Sequence, residues 1–591
     1  MSIGGLVAAC SGTDGADGAT GAEGPHGVRG PAGESATAGP QGDPGQQGPA
    51  GPAGPKGDAA LDLDPKLSVL GTYRSKLYDV GAAEIVTYHA PSKRLFVVNA
   101  QLGTLDTLDV TNPALPRKVA DPNFDFDVAA DVASKIAGFT SGGVNSVSAH
   151  GDTLALAVQA DPKTDLGAVA FYSATTGAFL DAVSVGALPD MVTYSPDGKR
   201  VLVANEGEPA EDYSVDPEGS VSIIDVSGGI GTAALPVTTV GFTAFNNRRD
   251  KLLAMGAHFT LFGGSPSVAK DIEPEYITVS SDSKKAWITC QEANLIAVLD
   301  LAADPPVISE LLPLGFKDFR VTGNGFDPSD RDGVVAGGGN AGRIGIGNFP
   351  VYGMYQPDAI ASYVVGGVTY LVTANEGDIR EWDAPYSEVA RVSSLTLDPS
   401  LPAWLKDDAV LGRLNVTNRR GFTTAGGPFK ELYAFGGRSF SIWTTTGSLV
   451  FDSGDELEQI TAAAHPANFN ASNTNNSLDN RSDDKGPEPE GVVVGEVDGR
   501  FYAFIGLERI GGIVVYDVTD PRDARFVQYI NNRDFGVADV ATSVQGDGAV
   551  RDLGPEGLLF IPSAQSPNGI PLLVVGNEVS GTTTIYGFSK P

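Results

Sequence analysis

Carboxylate side chains recur in this 591-residue sequence at points where an apolar segment is about to begin. Glu488 and Glu490, for example, flank Pro489 directly before the alternating run at residues 491–497. Acidic groups that converge raise one another's pKa or recruit a metal ion, because their like charges repel. Carboxylate oxygens suit calcium or magnesium rather than zinc or copper. The pattern therefore predicts a cation site, with calcium as the expected ion and magnesium as the less favoured one.

The carboxylates belong to units that repeat seven times along the chain. Each unit opens a first strand with an acidic or amide residue and passes through a turn of Gly, Asp or Asn into a second apolar strand, often followed by a third. The units begin near Ala82, Val144, Leu188, Glu273, Gln356, Glu488 and Gly554. Three strands and a connection per unit are typical of a propeller blade. We therefore predict an all-β fold, a seven-bladed β-propeller.

A strand near the start of the chain is expected to complete the ring. The third strand of the seventh unit ends at Phe588, so this unit lacks a fourth, outer strand. The segment at residues 66–76 is strand-like and precedes the first unit. Pairing of this segment with the last unit would join the two ends of the ring and remove an exposed sheet edge.

Two sets of polar residues are expected to meet at one mouth of the propeller channel, because the first strands of the blades line it. The residues that open the units are Glu84, Asn145, Asp190, Glu275, Asp358, Glu490 and Glu556. The residues that end the second strands are Asn205, Glu206, Gln291, Glu292, Asn375, Glu376, Glu508, Asn577 and Glu578. The predicted metal ligands among them are Glu275, Asp358, Glu490, Glu556, Glu292 and Glu578. Alternatively, these acids cap the blade turns and bond to backbone amides of neighbouring blades.

A second acidic segment, residues 323–335, adds Asp330 and Asp332 to the predicted metal ligands. Its spacing resembles an acidic calcium loop but does not match the EF-hand template, which also needs a later glutamate. A polar surface turn is the alternative interpretation.

Basic residues near the predicted acidic mouth suggest a site for an anionic ligand. The candidate ligand-binding residues are Glu376, Asp378, Arg380, Arg438, Lys485, Glu508 and Arg509. Carboxylates that hold calcium beside lysine and arginine would grip a phosphate group, and a metal-activated water could then attack it. The competing interpretation is that Arg438 and Arg509 only neutralise glutamates of the channel.

No familiar catalytic motif nominates an enzyme class. The five histidines form no H-E-x-x-H pair, and the sequence contains neither a G-x-S-x-G elbow nor a phosphate-binding glycine loop. Cys290 lies in an apolar context and is predicted to be a core residue rather than a nucleophile. The catalytic residues, if there are any, are therefore unassigned.

The composition excludes several classes of partner and scaffold. A net charge of −33, from 40 basic and 73 acidic residues, repels nucleic acids and anionic lipid headgroups. Two cysteines exclude a disulfide-rich scaffold. No apolar run reaches the roughly 18 residues of a membrane span, so any membrane association is expected through a lipid anchor alone.

The first 66 residues differ in texture from the rest. Small residues precede Cys10 as in a bacterial lipobox, which predicts that residues 1–11 comprise a signal remnant and a lipidated cysteine. Glycine then occupies every third position over residues 12–58, except at Ala36, which predicts a collagen-like stalk and a homotrimer. A disordered Gly/Pro linker is the alternative. A linker at residues 59–66 would lead into the propeller at residues 67–591.

Several longer segments resemble the choice-of-anchor I family. They include EPEYI, TANEGD, FGGRSFSIW, DDKGPEPEGV and GLERIGGIVVYDVTDP, in the expected order between about Leu67 and Phe588. Members of this family are described as similar to a mesenchyme-specific cell surface glycoprotein, and some carry an alkaline phosphatase label. The resemblance implies a propeller displayed at the cell surface or outside the cell. Together with the lipobox at Cys10, it predicts a lipoprotein of a bacterial outer membrane. It implies no settled activity.

Two insertions are expected to build a binding surface. The segments at about 379–430 and 459–487 read as long loops beside the fifth unit, which biases the functional face towards units four to six. Two functions remain open. One is a surface module that binds a ligand and a divalent cation, and the other is a calcium-dependent phosphoesterase.

Overall fold

The computed structural model describes residues 65–335, 339–424 and 426–589. The predicted lipidation at Cys10, the collagen-like stalk at 12–58 and most of the linker at 59–66 lie outside the described residues.

Strands dominate the described part of the chain, as predicted from the short alternating runs of apolar residues. The strands of its first half are β1 (Lys66–Arg74), β2 (Val86–His89), β3 (Arg94–Asn99), β4 (Thr104–Asp109), β5 (Arg117–Lys118), β6 (Ser141–His150), β7 (Thr153–Ala160), β8 (Leu166–Ser173), β9 (Phe179–Ala187), β10 (Pro189–Tyr194), β11 (Arg200–Asn205), β12 (Ser220–Asp225), β13 (Val237–Gly241), β14 (Ile277–Val279), β15 (Lys285–Cys290), β16 (Leu295–Asp300), β17 (Val307–Pro313) and β18 (Phe316–Asp318). The strands of its second half are β19 (Gly333–Val335), β20 (Gly339–Ala341), β21 (Tyr352–Met354), β22 (Ile360–Val365), β23 (Val368–Asn375), β24 (Val389–Arg391), β25 (Asn415–Thr417), β26 (Tyr433–Ala434), β27 (Ser439–Thr444), β28 (Leu449–Asp452), β29 (Pro489–Val497), β30 (Arg500–Leu507), β31 (Ile513–Asp517), β32 (Arg525–Ile530), β33 (Pro555–Ile561), β34 (Leu572–Asn577) and β35 (Thr582–Ser589).

Helices are short and lie in the connections. The α-helices are α1 (Val128–Lys135), α2 (Arg249–Ala254), α3 (Glu456–Ala464) and α4 (Val540–Gln545). The 3-10 helices are Ala100–Leu102, Pro122–Phe124, Thr243–Arg248, Val392–Ser394 and Ala403–Lys406. The prediction of an all-β fold is confirmed.

Seven four-stranded antiparallel sheets occur within the described residues. Their strand orders are β2-β3-β4-β5 (sheet 1), β6-β7-β8-β9 (sheet 2), β10-β11-β12-β13 (sheet 3), β14-β15-β16-β17 (sheet 4), β22-β23-β27-β28 (sheet 5), β29-β30-β31-β32 (sheet 6) and β33-β34-β35-β1 (sheet 7). Short turns connect the first and second strands of sheets 1 to 6. In sheet 3 the turn Ser195–Gly198 is closed by a bond from the Gly198 amide to the Ser195 carbonyl, at 2.8 Å, and Gly198 adopts a φ of +68°. Glycine adopts this left-handed conformation without a Cβ clash.

Hydrophobic clusters connect each sheet to the next. Side chains of sheets 1 and 2 share one cluster, and the same holds for every later pair up to sheets 6 and 7. A further cluster joins sheet 7 to sheet 1 and contains Val86, Leu95, Leu572 and Val574. Cys290 is a free, buried cysteine of the cluster between sheets 3 and 4. The core is therefore divided among the interfaces between sheets.

Strand β1 is the outer strand of sheet 7. It pairs antiparallel with β35, from Lys66 opposite Ser589 to Arg74 opposite Thr582. The fourth strand of this sheet thus comes from the opposite end of the described chain.

The insertion at 379–430 is more structured than the predicted loop. Together with residues 319–351 it builds a small core of its own, which includes Phe319, Phe326, Leu405 and Leu414. The insertion at 459–487 contains the end of α3 and then only turns.

No helix among the described residues is both long enough and apolar enough to cross a membrane.

Candidate metal centre

A local backbone motif repeats at the start of five sheets. In each, a residue with positive φ precedes a proline, and an acidic residue follows it. The residues with positive φ are Leu188, Glu273, Gln356, Glu488 and Gly554, and the acids are Asp190, Glu275, Asp358, Glu490 and Glu556. A positive φ is strained for residues other than glycine and persists where the surrounding structure enforces it. Four of the five positions are therefore strained, and this repeated strain indicates that the placement of the acids matters for function.

The motif brings the two predicted sets of acids together. In sheets 3, 6 and 7, the proline opposes the last residue of the second strand, and the register then shifts across the next two residues. Such a bulge changes the direction of a side chain. Backbone hydrogen bonds also join the end of the second strand to the start of the first. The Glu508 amide donates to the Glu488 carbonyl at 2.9 Å, and the Glu578 amide donates to the Gly554 carbonyl at 2.8 Å.

Nine of the eleven acids in the two sets, all except Glu84 and Glu292, line one cavity of about 630 Å³. Every side chain that lines it is polar or charged, with eleven carboxylates against one lysine and one arginine. The lining residues are Asp79, Asp190, Glu206, Glu275, Gln291, Asp358, Glu376, Asp378, Ser472, Asn473, Thr474, Lys485, Glu490, Glu508, Arg509, Glu556 and Glu578. Small-molecule pockets are usually lined by apolar groups, so this cavity suits ions and their hydration shells better.

Burial and repulsion from other carboxylates raise the pKa of Asp190 and Glu490, which line the cavity, and of Glu84 beside it. Burial is the largest cause for Glu84, and the carboxylates of Glu578 and Asp190 add to it, which brings the pKa of Glu84 to about 8. Burial and Glu208 bring the pKa of Asp190 to about 7. The pKa of Glu490 lies well above its usual range because of burial and then Glu508. Near neutral pH these groups therefore hold protons unless a cation replaces them.

Glu488 and Glu490, only two residues apart, have opposite environments. Glu488 is fully buried, with its carboxylate 2.7 Å from Arg481, 3.0 Å from Arg509 and 3.1 Å from Lys485. Burial alone would raise the pKa of Glu488, but these three cations hold it far below its usual range. Glu490 instead faces other carboxylates, and its Oε2 atom is buried without a hydrogen-bond partner. Glu488 is thus a structural anion, whereas Glu490 is available to a ligand.

Among the described residues, three carboxylate triplets bring one oxygen from each member within 4.8 Å of the others. They are Asp358–Glu376–Glu490, Glu84–Glu556–Glu578 and Glu376–Glu488–Glu508. The third includes Glu488, which the three cations already neutralise. The first two triplets are therefore the better cation sites.

Lys485 and Arg509 form ion pairs with acids of the cavity. The Lys485 ammonium lies 2.6 Å from Glu376 and donates to the Gly377 carbonyl at 2.5 Å. Burial alone would lower the pKa of Lys485, but Glu376 and Glu488 raise it well above its usual range. Arg509 contacts Glu508 at 2.9 Å as well as Glu488. The idea that Arg509 neutralises channel glutamates therefore agrees with its contacts.

Arg380 and Arg438, predicted to bind ligand, do not line the cavity. Arg380 is buried against Glu273 at 2.6 Å. Arg438 bonds to Glu458 at 2.7 Å and donates to the backbone carbonyls of Asp327 and Ser482, both at 2.8 Å. Both arginines connect an insertion to the sheets, which sequence spacing alone did not reveal. The remaining candidates, Glu376, Asp378, Lys485, Glu508 and Arg509, all line the cavity.

Three of the predicted metal ligands lie outside the cavity lining. Asp330 pairs with Arg413 at 2.8 Å, and Asp332 pairs with Arg343 at 3.3 Å. Both lie in the segment 319–351 that shares a core with the insertion at 379–430, and Arg413 comes from that insertion. Glu292 is buried but does not line the cavity, and one of its oxygens has no hydrogen-bond partner. The predicted ligands Glu275, Asp358, Glu490, Glu556 and Glu578 all line the cavity.

The amide residues among the predicted mouth residues are mostly structural. Asn145 donates to the Pro189 carbonyl of sheet 3 at 3.1 Å, and Asn205 and Asn375 bond to serines of their own sheets. For these residues the alternative interpretation, bonding to neighbouring strands and sheets, describes their contacts. Asn577 likewise bonds to backbone carbonyls of sheet 7.

Residues of the 472–474 segment line the cavity but were not predicted individually. Asn473 donates to Glu508 at 2.9 Å. Arg533 fixes this segment by donating to the carbonyls of Ser472 at 2.9 Å and Asn475 at 2.6 Å. The amide-rich composition indicated a binding loop, but composition cannot identify which amides face inward.

Stability without a divalent cation is expected to fall as pH rises. The raised pKa values mean that the folded state binds more protons than the unfolded state between about pH 5 and pH 8, so the free energy of unfolding decreases across this window. We expect the melting temperature in chelator to fall by ~5 °C over that range. Calcium should remove this dependence, whereas sodium chloride of equal ionic strength should not. A melting temperature that rises with pH in chelator would contradict the assignment.

Comparisons with known proteins place these features in a family. Residues 84–521 match the model of the choice-of-anchor I domain, and residues 9–62 match that of the collagen triple helix repeat. The chain is 31% identical over 188 residues to Gigasin-3a of Magallana gigas, covering 31% of this chain and 66% of that protein. It is 27% identical over 337 residues to the mesenchyme-specific cell surface glycoprotein of Strongylocentrotus purpuratus, covering 50% of this chain and 42% of that protein. The matches thus span just under two thirds and under half of these relatives.

Solved structures offer only a distant likeness. The Cps50 (Swd1) β-propeller domain of Myceliophteria thermophila has a TM-score of 0.38 and 9% identity, covering 89% of this chain and 100% of that one. Hydrazine synthase of Kuenenia stuttgartiensis has a TM-score of 0.41 and 12% identity, covering 86% and 96%. These TM-scores are too low to support any conclusion.

Proposed function

Because this chain belongs to the choice-of-anchor I family, we propose that it is displayed at the cell surface or outside the cell and binds a divalent cation in its acidic cavity. The observation that carries this proposal is the Asp358–Glu376–Glu490 triplet, whose oxygens lie within 4.8 Å of one another. Glu490 adds a buried oxygen that has no hydrogen-bond partner. An unpaired buried polar atom is costly, and a cation would satisfy it.

Calcium is the ion that the donor set favours. All candidate ligands are carboxylate oxygens, and the amides of Gln291 and Asn473 lie nearby. Calcium accepts six to eight oxygens in flexible geometry, whereas magnesium needs a tight octahedron and keeps several waters. Three carboxylates from two sheets around a roomy cavity fit the calcium requirement better.

The architecture that supports this site is inferred to be a closed seven-bladed propeller. Seven four-stranded sheets and a hydrophobic cluster at each interface, including that between sheets 7 and 1, support this inference. In it, β1 acts as the sealing strand, since it pairs with β35 at the edge of sheet 7. Convergence of the sheets' first strands would explain why acids distant in sequence share one cavity.

Surface display is supported by the relatives. One match is named as a cell surface glycoprotein, and the collagen repeats are compatible with a homotrimer. Lipidation at Cys10 and a bacterial outer-membrane location remain predictions, and the animal origin of both named relatives does not favour a bacterial source.

Equilibrium dialysis with radioactive calcium tests the proposal. We expect the purified protein to bind calcium near pH 8, with weaker competition by magnesium and with affinity that falls as the pH drops, because protons compete for the same oxygens. Absence of calcium binding at millimolar concentration near pH 8 would refute the proposed function.

A calcium-dependent phosphoesterase is the second candidate. It is favoured by Lys485 and Arg509, which line the same cavity as the carboxylates and could hold a phosphate group beside a bound cation. Hydrolysis of p-nitrophenyl phosphate or phytate with calcium, abolished by chelator, would support this activity. Calcium binding without hydrolysis would support a binding module instead.

A further inference from the structure

We propose that a second divalent cation binds to Glu556 and Glu578, which line the cavity, and to Glu84 beside them, and that this ion joins the first and last sheets of the ring. The inference rests on the proposed function, because it assigns a second ion to the same cavity. Glu556 lies in β33 of sheet 7, Glu578 directly follows β34 of the same sheet, and Glu84 lies two residues before β2, the first strand of sheet 1. The three carboxylates place one oxygen each within 4.8 Å of the others.

The second triplet is separate from the first. It shares no residue with Asp358–Glu376–Glu490, and it draws on different sheets. One ion would neutralise only part of the charge of eleven lining carboxylates against two lining cations. A second ion at a distinct triplet is therefore favoured by charge as well as by geometry.

Unpartnered oxygens indicate that the cavity is built to receive cations. Glu275 is only 8% exposed, lines the cavity and has a buried Oε2 atom without a hydrogen-bond partner. Each of the first two triplets contains a further such atom, Glu490 Oε2 in one and Glu556 Oε2 in the other. Since an unmade hydrogen bond in a buried site is costly, these atoms are suited to ligation.

Two glycines of sheet 7 allow the Glu84 backbone to approach this sheet closely, because they have no Cβ atom. A Cβ atom on Gly576 would lie 2.1 Å from the Glu84 carbonyl oxygen, and one on Gly557 would lie 2.5 Å from it. The side chain is confined as well, because a Cβ on Gly81 would lie 2.1 Å from Glu84 Oε1. This close approach places the Glu84 carboxylate beside the acids of the last sheet. An ion there would cross-link the two ends of the described fold.

The test compares calcium stoichiometry in the full chain with that of Glu84→Gln and Glu578→Gln, measured by equilibrium dialysis. Glu310→Gln, on an exposed outer position of sheet 4, is the matched control. We expect two ions per chain in the wild type and in the control, and one ion per chain in Glu84→Gln and in Glu578→Gln. Calcium should also raise the melting temperature of these two variants less than that of the wild type, because the ion that they lose joins sheets 7 and 1.

The possible outcomes separate this inference from the proposed function. No calcium binding in the wild type would overturn both. A single ion in the wild type that Glu84→Gln and Glu578→Gln retain would overturn the inference and leave the proposed function intact. Because two variants are tested, the inference stays testable if one of them misfolds. Circular dichroism in chelator shows whether each variant folds before its stoichiometry is compared.

Discussion

Replacing Glu488 by glutamine is expected to lower the free energy of unfolding by about 3–5 kcal/mol, the usual cost of breaking a buried ion pair. Glu488 is fully buried and pairs with Arg481, Arg509 and Lys485. Glutamine keeps the shape of the side chain, so the loss would be electrostatic, with three cations left without their shared anion. Urea unfolding monitored by circular dichroism measures this change.

Glu496→Gln is the matched control for this substitution. Glu496 lies in the same strand, β29, on an exposed position. Surface changes of this kind usually alter stability by less than about 0.5 kcal/mol. If Glu488→Gln changed the unfolding free energy no more than Glu496→Gln does, the assignment of Glu488 as a structural anion would be wrong.

Replacing Glu490 by glutamine should weaken calcium binding without lowering stability in chelator. It removes a ligand of the Asp358–Glu376–Glu490 triplet, so we expect calcium affinity near pH 8 to fall by about 10-fold or more, equivalent to at least ~1.4 kcal/mol. Stability in chelator should not fall, because the substitution removes one of several buried carboxyl groups that repel one another.

Calcium titration and urea unfolding of Glu490→Gln separate these two effects. The exposed Glu496→Gln variant again serves as control, since it should bind calcium like the wild type. A Glu490→Gln protein that binds calcium normally, or that is as unstable in chelator as Glu488→Gln, would show that the two acids do not differ in role.

The sequence predicted the all-β fold well because its signal is local. Alternating Val, Ile, Leu, Phe and Tyr followed by Gly, Asp or Asn turns repeats along the chain, and each repeat corresponds to a sheet. The convergence of unit-opening acids also follows from this repetition. The clearest local sign of this repetition is a proline directly before five of these acids, Asp190, Glu275, Asp358, Glu490 and Glu556.

The chemical state of each acid could not be predicted in the same way. Glu488 and Glu490 share one local context, yet Arg509, which lies beyond strand β30, neutralises only the first of them. Asp330 and Asp332 have spacing suited to a calcium loop, but Asp330 forms an ion pair with Arg413 and Asp332 forms one with Arg343. Arg438 also lies away from the cavity because it holds Glu458. Contacts between residues far apart in sequence decide these roles.

Anomalous diffraction from crystals grown with calcium near pH 8 tests the central claim most directly. The expected result is an anomalous peak inside the cavity, within about 2.3–2.6 Å of oxygens from Asp358, Glu376 and Glu490, the usual calcium–oxygen distance. A cavity that contains only water at saturating calcium, with these three carboxyl groups bonded to one another, would contradict the account.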